Sequence, residues 1–599
     1  MKTRKKVKEE RISISPEGKE FPLPSKEDYE NEVTKVRELA KKAKDSGNQV
    51  VVVQGLGFVG AVMAAIVAQA EKKFVIGLQR ASKRSYWKIP YINQGISPIE
   101  SEDPKVKEII KDGVERGKLY ATYVDEAIAL GEVVISDIQC DVKKLKFGNS
   151  KVFTVEIEPF IEASKKVANL INPSSLYLIE TTVPPGTSEY IVKPIFEGAF
   201  KNRIASELRN LRKKSLDEVK EIVKSSDFLR ELEEEVVSYV ENPTKEKEKE
   251  IVAKALRNHS PKIAHSYERV MPGREYVDSV VNFPRVFSGI DEASASMAQK
   301  FLSEVLTGPN AKLTKLATPT DSEFSKCAEN TYRASIIALG RALGRMAEIM
   351  NVNLTEVVDA IKVRPTHRDI MVPRTPTTGG YCLPKDPLFL LWSLKNIPEF
   401  KERLSKENKE ALRRIINLIS LIVDINDTDG IHAVELVEEE LKKIGKKLKG
   451  SKVLVAGASY REDVADTRYA SYETIVRYLK ERGAEVSVTD PYVKSLPELE
   501  YQEEDKYSLA KFFKRQKELK SLKVISSFEQ AAKGVDAIIF AVPHEPYKKL
   551  TPEEICNAVG KQPQEIVVID CGTFSNEQAI NIANYGLNFR KMYHGSFKK

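Results

Sequence analysis

The run Thr377-Thr378-Gly379-Gly380-Tyr381-Cys382-Leu383-Pro384-Lys385-Asp386-Pro387 brings a thiol, an ammonium and a carboxylate together directly after a glycine pair. A cation beside a cysteine favours the thiolate, which is the nucleophilic form. Glycines let a ligand approach the backbone closely. A turn around a buried thiol would have a similar local sequence, because free cysteine also behaves as a small hydrophobe. The rest of the chain must decide between the two.

A second chemical cluster is Gly55-Leu56-Gly57-Phe58-Val59-Gly60. Its context predicts a buried strand at 50–53, a turn, an Ala/Val-rich helix to residue 70 and a second strand at 74–78, which is a βαβ unit. In that setting the first glycine makes the turn and the second admits a pyrophosphate at the helix N-terminus. The third lets helix and strand pack. Gln79 and Arg80 hold the place where an acidic residue usually meets the adenosine ribose. With Lys83 and Arg84 nearby, this leaves NADP as an alternative to NAD.

These elements must sit in more than one domain, because 599 residues exceed a single core. Further strands are predicted at 133–136 and 176–180, the second leading into Thr181-Thr182-Val183-Pro184-Pro185-Gly186-Thr187. Residues 201–258, dominated by Lys, Glu and Arg, read as a solvated helical excursion. From Ser322 the pattern turns helical and stays so past Leu343, a candidate subunit interface. A second alternating region has strands at 452–456, 485–489, 537–541 and 566–570. At the N-terminus, residues 1–48 read as an added segment. Its first part is charged and expected to be mobile, and Ser25 to Lys44 reads as a polar helix with Ser25 as a candidate N-cap.

Composition narrows the function classes. Hydrophobic content of 41% supports folded domains, and a net charge of +8 is dilute and interspersed, so nucleic-acid binding is not expected. The five cysteines are scattered without a CxxC, and the six histidines form no HxxxH, which argues against disulfide frameworks and metal sites. A reducing, cytoplasmic setting is expected. Residues 49–70 carry no charge, yet their glycine turn fits a strand–turn–helix better than a membrane span.

Several ordered blocks together resemble the nucleotide-sugar 6-dehydrogenases, the UDP-glucose/UDP-N-acetylhexosamine dehydrogenase group. They are GLGFVG at Gly55, ETTVPPGT at Glu180, HSYERVMPGR at His265, SKCAENTYR at Ser325, GGYCLPKDP at Gly379, SYREDVADTR at Ser459 and VTDPYV at Val488. The blocks fall within about residues 49–575. The resemblance implies oxidation of a C6 alcohol to a carboxylate in two hydride transfers, through a thiohemiacetal and a thioester on cysteine.

On that resemblance Cys382 is the nucleophile, Asp386 assists proton transfer and water, and Lys385 binds ligand. Lys326 and Asn330, one helical turn apart, stabilise the developing oxyanion. Glu268 orders substrate and water, with Arg269 beside it on the substrate. Thr182 holds the water near the nicotinamide, and Gly379 and Gly380 border the substrate. Arg468 contacts the nucleotide, together with Arg461, which stands where the family usually has lysine. The cofactor set is Gly55, Leu56, Gly57, Phe58, Val59, Gly60, Gln79, Arg80 and Thr182. One departure is the turn Asp137-Ile138-Gln139-Cys140-Asp141, where the family shows a short Gly/Thr/Pro turn.

The expected architecture is therefore α/β: two Rossmann-like, doubly wound domains joined by a long central helix, with the active site between them. The expected boundaries are an extension (1–48), a dinucleotide-binding domain (49–312, with a charged helical insertion at about 199–260), a central helical region forming a dimer interface (313–420) and a C-terminal UDP-binding domain (421–599). The expected substrate is a UDP-hexose or UDP-N-acetylhexosamine, the cofactor NAD, and the assembly a homodimer or higher homo-oligomer without a membrane span. The alternatives are a single-step dehydrogenase on the same scaffold and a non-catalytic nucleotide-sugar binding protein.

Overall fold

The computed structural model of the chain describes residues 12–270, 273–406, 408–513 and 516–595. The charged stretch 1–11 and the Met271-Pro272 pair of the HSYERVMPGR block lie outside the described residues. The chain forms two compact units, Met1–Asp141 with Glu156–Lys326, and Val142–Val155 with Cys327–Lys599. Residues 142–155, read in the sequence as part of the dinucleotide domain, thus cluster with the second unit.

The first unit is built on β1 (Gln49–Gln54), β2 (Lys73–Leu78), β3 (Leu119–Thr122), β4 (Val133–Ser136), β5 (Leu176–Ile179), β6 (Lys262–His265), β7 (Arg285–Gly289) and β8 (Leu313–Lys315). They form one eight-stranded sheet in the order β8-β7-β6-β5-β4-β1-β2-β3. All pairings are parallel except β6 with β7. Strand β1 reads QVVVVQ with Val50 to Val53 fully buried, the continuous apolar run of a strand covered on both faces. The order reverses between β1 and β4, so the crevice at their carboxyl ends is the ligand position of a doubly wound sheet.

The segment between β5 and β6 corrects the sequence reading. It is helical (Lys193–Leu211, Leu216–Ser225, Glu233–Glu241, Lys245–Asn258) but not a solvated excursion. Leu208, Val219, Phe228, Leu232, Val236 and Tyr239 are all buried. The apolar residues are sparse, yet their helical spacing puts them on facing stripes, enough for a small core of their own.

The N-terminal segment is packed rather than appended. Ser25 and Asp28 form a capping box at the start of helix Lys26–Asp45, which buries Val36, Ala40 and Ala43 and rests on β1. The hairpin Ile12–Ile14/Glu20–Pro22 seats on the stretch after Arg80. Ser13 Oγ donates to the Lys83 carbonyl at 2.8 Å, and Phe21 meets Tyr91 edge-on.

The second unit carries β9 (Lys452–Ala456), β10 (Glu485–Thr489), β11 (Val524–Ile525), β12 (Ala537–Phe540), β13 (Val567–Asp570) and β14 (Asn588–Lys591). This six-stranded sheet is entirely parallel, in the doubly wound order β11-β10-β9-β12-β13-β14. A 32-residue helix, Pro319–Met350, runs from the end of the first unit into the second. Among the described residues no helix is long and apolar enough to cross a membrane.

Candidate active site

In the first unit the glycine turn has the shape a dinucleotide requires. Gly55 has φ +99°, and a Cβ there would stand 2.8 Å from the Asp137 carbonyl oxygen. A Cβ on Gly60 would fall 2.0 Å from the Gly55 carbonyl, so helix and strand touch backbone to backbone. A Cβ on Gly57 would meet nothing within 4 Å, leaving that side open for a pyrophosphate. These residues fit NAD. Gln79 turns inward, its Oε1 accepting the Leu56 N–H at 2.9 Å, while Arg80 is exposed.

Two further residues border this turn: Lys88, which the sequence reading missed, and Asp137, which it noted only as part of an atypical turn. Lys88 donates from Nζ to the Leu56 carbonyl at 3.1 Å, and burial pulls its pKa down. Asp137, in the atypical turn after β4, places its Oδ2 about 3.1 Å from where a Gly60 Cβ would be, buried and without a partner. Burial, then Glu180 and Glu268, raise its pKa well above the usual carboxylate range. Arg285 pairs with Glu180 at 2.7 Å and partly offsets this. The shift disfavours an anion where the cofactor's phosphates would approach. The signal was present in the sequence as an Asp in place of a small or Pro residue, but burial could not be read from it.

Glu268, Arg269 and Lys326 come together around Tyr267. Lys326 is buried, donates to the Glu268 carbonyl at 2.8 Å and lies over the Tyr267 ring at 5.2 Å. Arg269 lies over the same ring at 5.7 Å. His265 is fully buried, with Nδ1 2.7 Å from Ser322 Oγ, and burial lowers its pKa to about 3, so it stays neutral. Thr182 is half-buried in a turn that Glu323 clamps. The Glu323 carboxyl accepts from Gly186 N at 2.6 Å, Ser188 N at 2.9 Å and Ser188 Oγ at 2.6 Å. Glu323, Lys326 and Asn330 share one face of the long helix at i, i+3 and i+7. Glu323 escaped the sequence reading because a lone Glu on a helix usually faces solvent.

In the second unit, Asn330 Nδ2 donates to Asp386 Oδ2 at 2.6 Å, and Lys385 Nζ bonds Asp386 Oδ1 at 2.7 Å. Asp386 is the first residue of helix Asp386–Asn396 and is fully buried. Lys385 is 1% exposed, its ammonium 4.4 Å from both the Tyr381 and Phe389 rings. This lysine therefore faces inward, holding Asp386 between two aromatic rings. Cys382 is the one cysteine of the five that is not buried, and its carbonyl accepts the Lys385 and Asp386 N–H groups at 3.1 and 3.0 Å.

Tyr460, which sequence reading passed over, shapes this turn. A Cβ on Gly379 would stand 2.6 Å from Tyr460 Cβ, and Gly380 has φ +82° with its Cβ position 2.9 Å from the same ring. Both glycines are therefore required. Burial pushes the Tyr460 phenol up to about 12, with smaller contributions from Asp466 and Cys382, while Arg461 pulls it down. Arg461 also lies over the Tyr460 ring. Arg468 grips Asp466 through Nε and Nη2 and stacks on Tyr381 and Tyr507.

The turn carrying Arg461 and Arg468 stands at the β9/β12 reversal of the second sheet. A buried pair fixes it: His544 Nε2 is 3.0 Å from Asp490 Oδ2, and Asp463 N donates to His544 Nδ1 at 3.0 Å. The first sheet with its glycine turn has the form of a dinucleotide-binding domain, and the second sheet repeats the doubly wound architecture.

Family models agree along most of the chain. Residues 49–235 match the NAD binding domain of the UDP-glucose/GDP-mannose dehydrogenase family, 320–410 its central domain and 454–576 its UDP binding domain. The chain belongs to the UDP-glucose/GDP-mannose dehydrogenase family. It is an NAD-dependent nucleotide-sugar dehydrogenase.

Relatives include UDP-N-acetyl-D-mannosamine dehydrogenases from Pyrococcus horikoshii, 26% identical over 90% of this chain and 98% of the relative, and Methanocaldococcus jannaschii, 24% identical over 88% and 94%. The fold is shared with the NDP-N-acetyl-D-galactosaminuronic acid dehydrogenase of Methanosarcina mazei Go1. That structure has a TM-score of 0.64 and 24% identity, covering 94% of this chain and 98% of that one.

Proposed function

We propose that this enzyme oxidises the C6 alcohol of a UDP-N-acetylhexosamine to the uronate in two steps at Cys382. The observation that carries this reading is the Cys382 turn itself. An accessible thiol sits at the head of a helix whose first residue, Asp386, is held by both Asn330 and Lys385. The names of the full-length relatives support a UDP-N-acetylmannosamine-type substrate.

NAD, when bound, would supply the hydride acceptor, one molecule for each of the two oxidations, and the glycine turn with Lys88 beside it would hold it. The protein's residues do the rest. Lys326 and Asn330 stabilise negative charge on the C6 oxygen as the alcohol proton passes to Asp386, which releases it to solvent before the hydrolytic step. The Cys382 thiolate then adds to the aldehyde carbon, making the alkoxide from which the second hydride departs. Water, oriented by Thr182 and Glu268 with Asp386 taking up its proton, adds to the thioester and expels the thiolate. Arg461 and Arg468 face the diphosphate, as guanidinium groups suit. The apolar stripe of the long helix supports a homodimer, and the requirement for NAD and a nucleotide sugar supports a cytoplasmic enzyme.

The test is stoichiometry. A panel of UDP-sugars is expected to yield two NADH per uronate, and Cys382→Ser to yield aldehyde-level product or a stalled intermediate. One NADH per product, or unchanged uronate formation by the variant, would sink the mechanism.

A further inference from the structure

The hairpin Ile12–Ile14/Glu20–Pro22 lies ahead of residue 49, where the match to the NAD binding domain begins. Its buried side chains nevertheless reach one stretch of that domain, residues 83–91, which follows β2 and the Gln79-Arg80 pair. Ser13 is fully buried; its Oγ donates to the Lys83 carbonyl at 2.8 Å and accepts the Trp87 N–H at 3.2 Å. Ser15 Oγ and Glu17 Oε2 each lie 2.9 Å from the Tyr91 hydroxyl oxygen. Phe21, Trp87 and Tyr91 form a buried aromatic cluster, with Trp87 edge-on to Tyr91 at 5.2 Å.

The stretch held in this way carries the residue that grips the glycine turn. Lys88 follows Trp87 directly, and its ammonium lies 5.9 Å from the Trp87 ring. Lys88 Nζ donates to the Leu56 carbonyl at 3.1 Å, while Gln79 Oε1 accepts the Leu56 N–H at 2.9 Å. Leu56 is thus fixed at both of its backbone polar atoms. The peptide joining Leu56 to Gly57 is planar and trans, so pinning its carbonyl turns the Gly57 N–H to the opposite side. Backbone N–H groups at such a turn are what a pyrophosphate binds, and Gly57 leaves the approach open. A displaced Trp87 would move Lys88 with it and release the Leu56 carbonyl.

We propose that the N-terminal hairpin is a positioning element of the cofactor site: through Ser13 and the Phe21–Trp87–Tyr91 cluster it holds Lys88 on the Leu56 carbonyl and so sets the affinity for the dinucleotide. Ser13 and Phe21 act through Lys88 and not by contact with the cofactor. The effect is reciprocal, because a hairpin that tightens dinucleotide binding must itself be tightened by the bound dinucleotide.

The experiment uses the full chain and measures NADH binding by calorimetry on the wild type, Ser13→Ala, Ser13→Thr and Phe21→Ala. UDP binding serves as the control for the second unit, and thermal midpoints as the control for folding. Ser13→Ala and Phe21→Ala are expected to weaken NADH about fivefold or more. UDP affinity should stay within about twofold, and Ser13→Thr, which keeps the hydroxyl, should bind NADH like the wild type. Hydrogen exchange on the wild type supplies a reading that needs no variant: NADH should slow the amides of 12–22 together with those of 83–91. Three results would overturn the proposal. They are unchanged NADH affinity in folded Ser13→Ala and Phe21→Ala, equal losses for NADH and UDP, or protection by NADH that leaves 12–22 untouched.

Discussion

Asn330 donates its side-chain amide to Asp386 at 2.6 Å, and Asp386 is in turn bound by the buried ammonium of Lys385. The carboxylate proposed above to take up protons is thus oriented by one neutral and one charged donor. Breaking the buried ion pair should cost about 3–5 kcal/mol, because one charge is left without its partner. Asp386→Asn is therefore expected to lose both stability and kcat. The double variant Lys385→Met/Asp386→Asn should recover most of the stability in urea denaturation and none of the activity. Asn330→Ala should lower kcat by about 100-fold with little change in KM.

Glu323 makes stability depend on pH. Burial, opposed by the donors at Gly186 and Ser188, raises its pKa from 4.5 to about 8. Between those values the unfolded chain has released this proton and the folded chain has kept it. The group's contribution therefore favours folding least at high pH: stability falls as pH rises from about 5 to about 8 and then levels, by at most about 1.4 kcal/mol per pH unit. Denaturation of wild type and Glu323→Gln at pH 5, 6.5 and 8 should show the difference between them changing with pH. A constant difference would mean that the carboxylate is ionised throughout.

Cofactor choice should follow the inward turn of Gln79. With its carbonyl engaged by Leu56, it leaves Arg80 as an exposed cation for a 2′-phosphate, with Lys83 and Arg84 exposed nearby. Arg80→Glu is expected to depress any NADP-dependent rate by about tenfold, a difference of about 1.4 kcal/mol, while NAD-dependent kcat/KM stays within about threefold. Equal losses with both cofactors would assign Arg80 to general phosphate binding.

The long helix leaves Tyr332, Leu339 and Met346 exposed at seven-residue intervals, and helix Lys409–Thr428 leaves Ile415, Leu418 and Leu421 exposed. Heptad spacing on a half-bare helix is the pattern of a helix–helix seam. For the homodimer proposed above, Leu339→Glu/Leu418→Glu should halve the sedimentation mass, and an unchanged mass would rule this face out as its interface.

Much of this was legible beforehand because it rests on local pattern. The strand before Gly55, the glycine spacing and the alternation of the second sheet are written in runs of a few residues. The Cys382 turn could be recognised because its thiol, cation and carboxylate are contiguous. What stayed hidden depends on partners distant in the chain. Asp137 has its pKa raised only once burial, and then Glu180 and Glu268, act on it. Tyr460 explains two glycines some eighty residues away, and Glu323 acquires a purpose from amides at 186 and 188. The helices between β5 and β6 were misjudged for a related reason. Sparse leucines in a charged sequence look solvated until four helices share them.

The N-terminal helix has a practical consequence. Val36, Ala40 and Ala43 are buried on the helix that packs on β1 of the first sheet, and the Glu32 carboxylate accepts hydrogen bonds from the hydroxyls of Tyr120 and Thr122. Cutting the chain at residue 48, where composition suggests a clean start, would strip a layer from that sheet and leave apolar strand surface bare to other molecules. Shortened versions should begin no later than the Ser25 cap, or they will associate before they can be assayed.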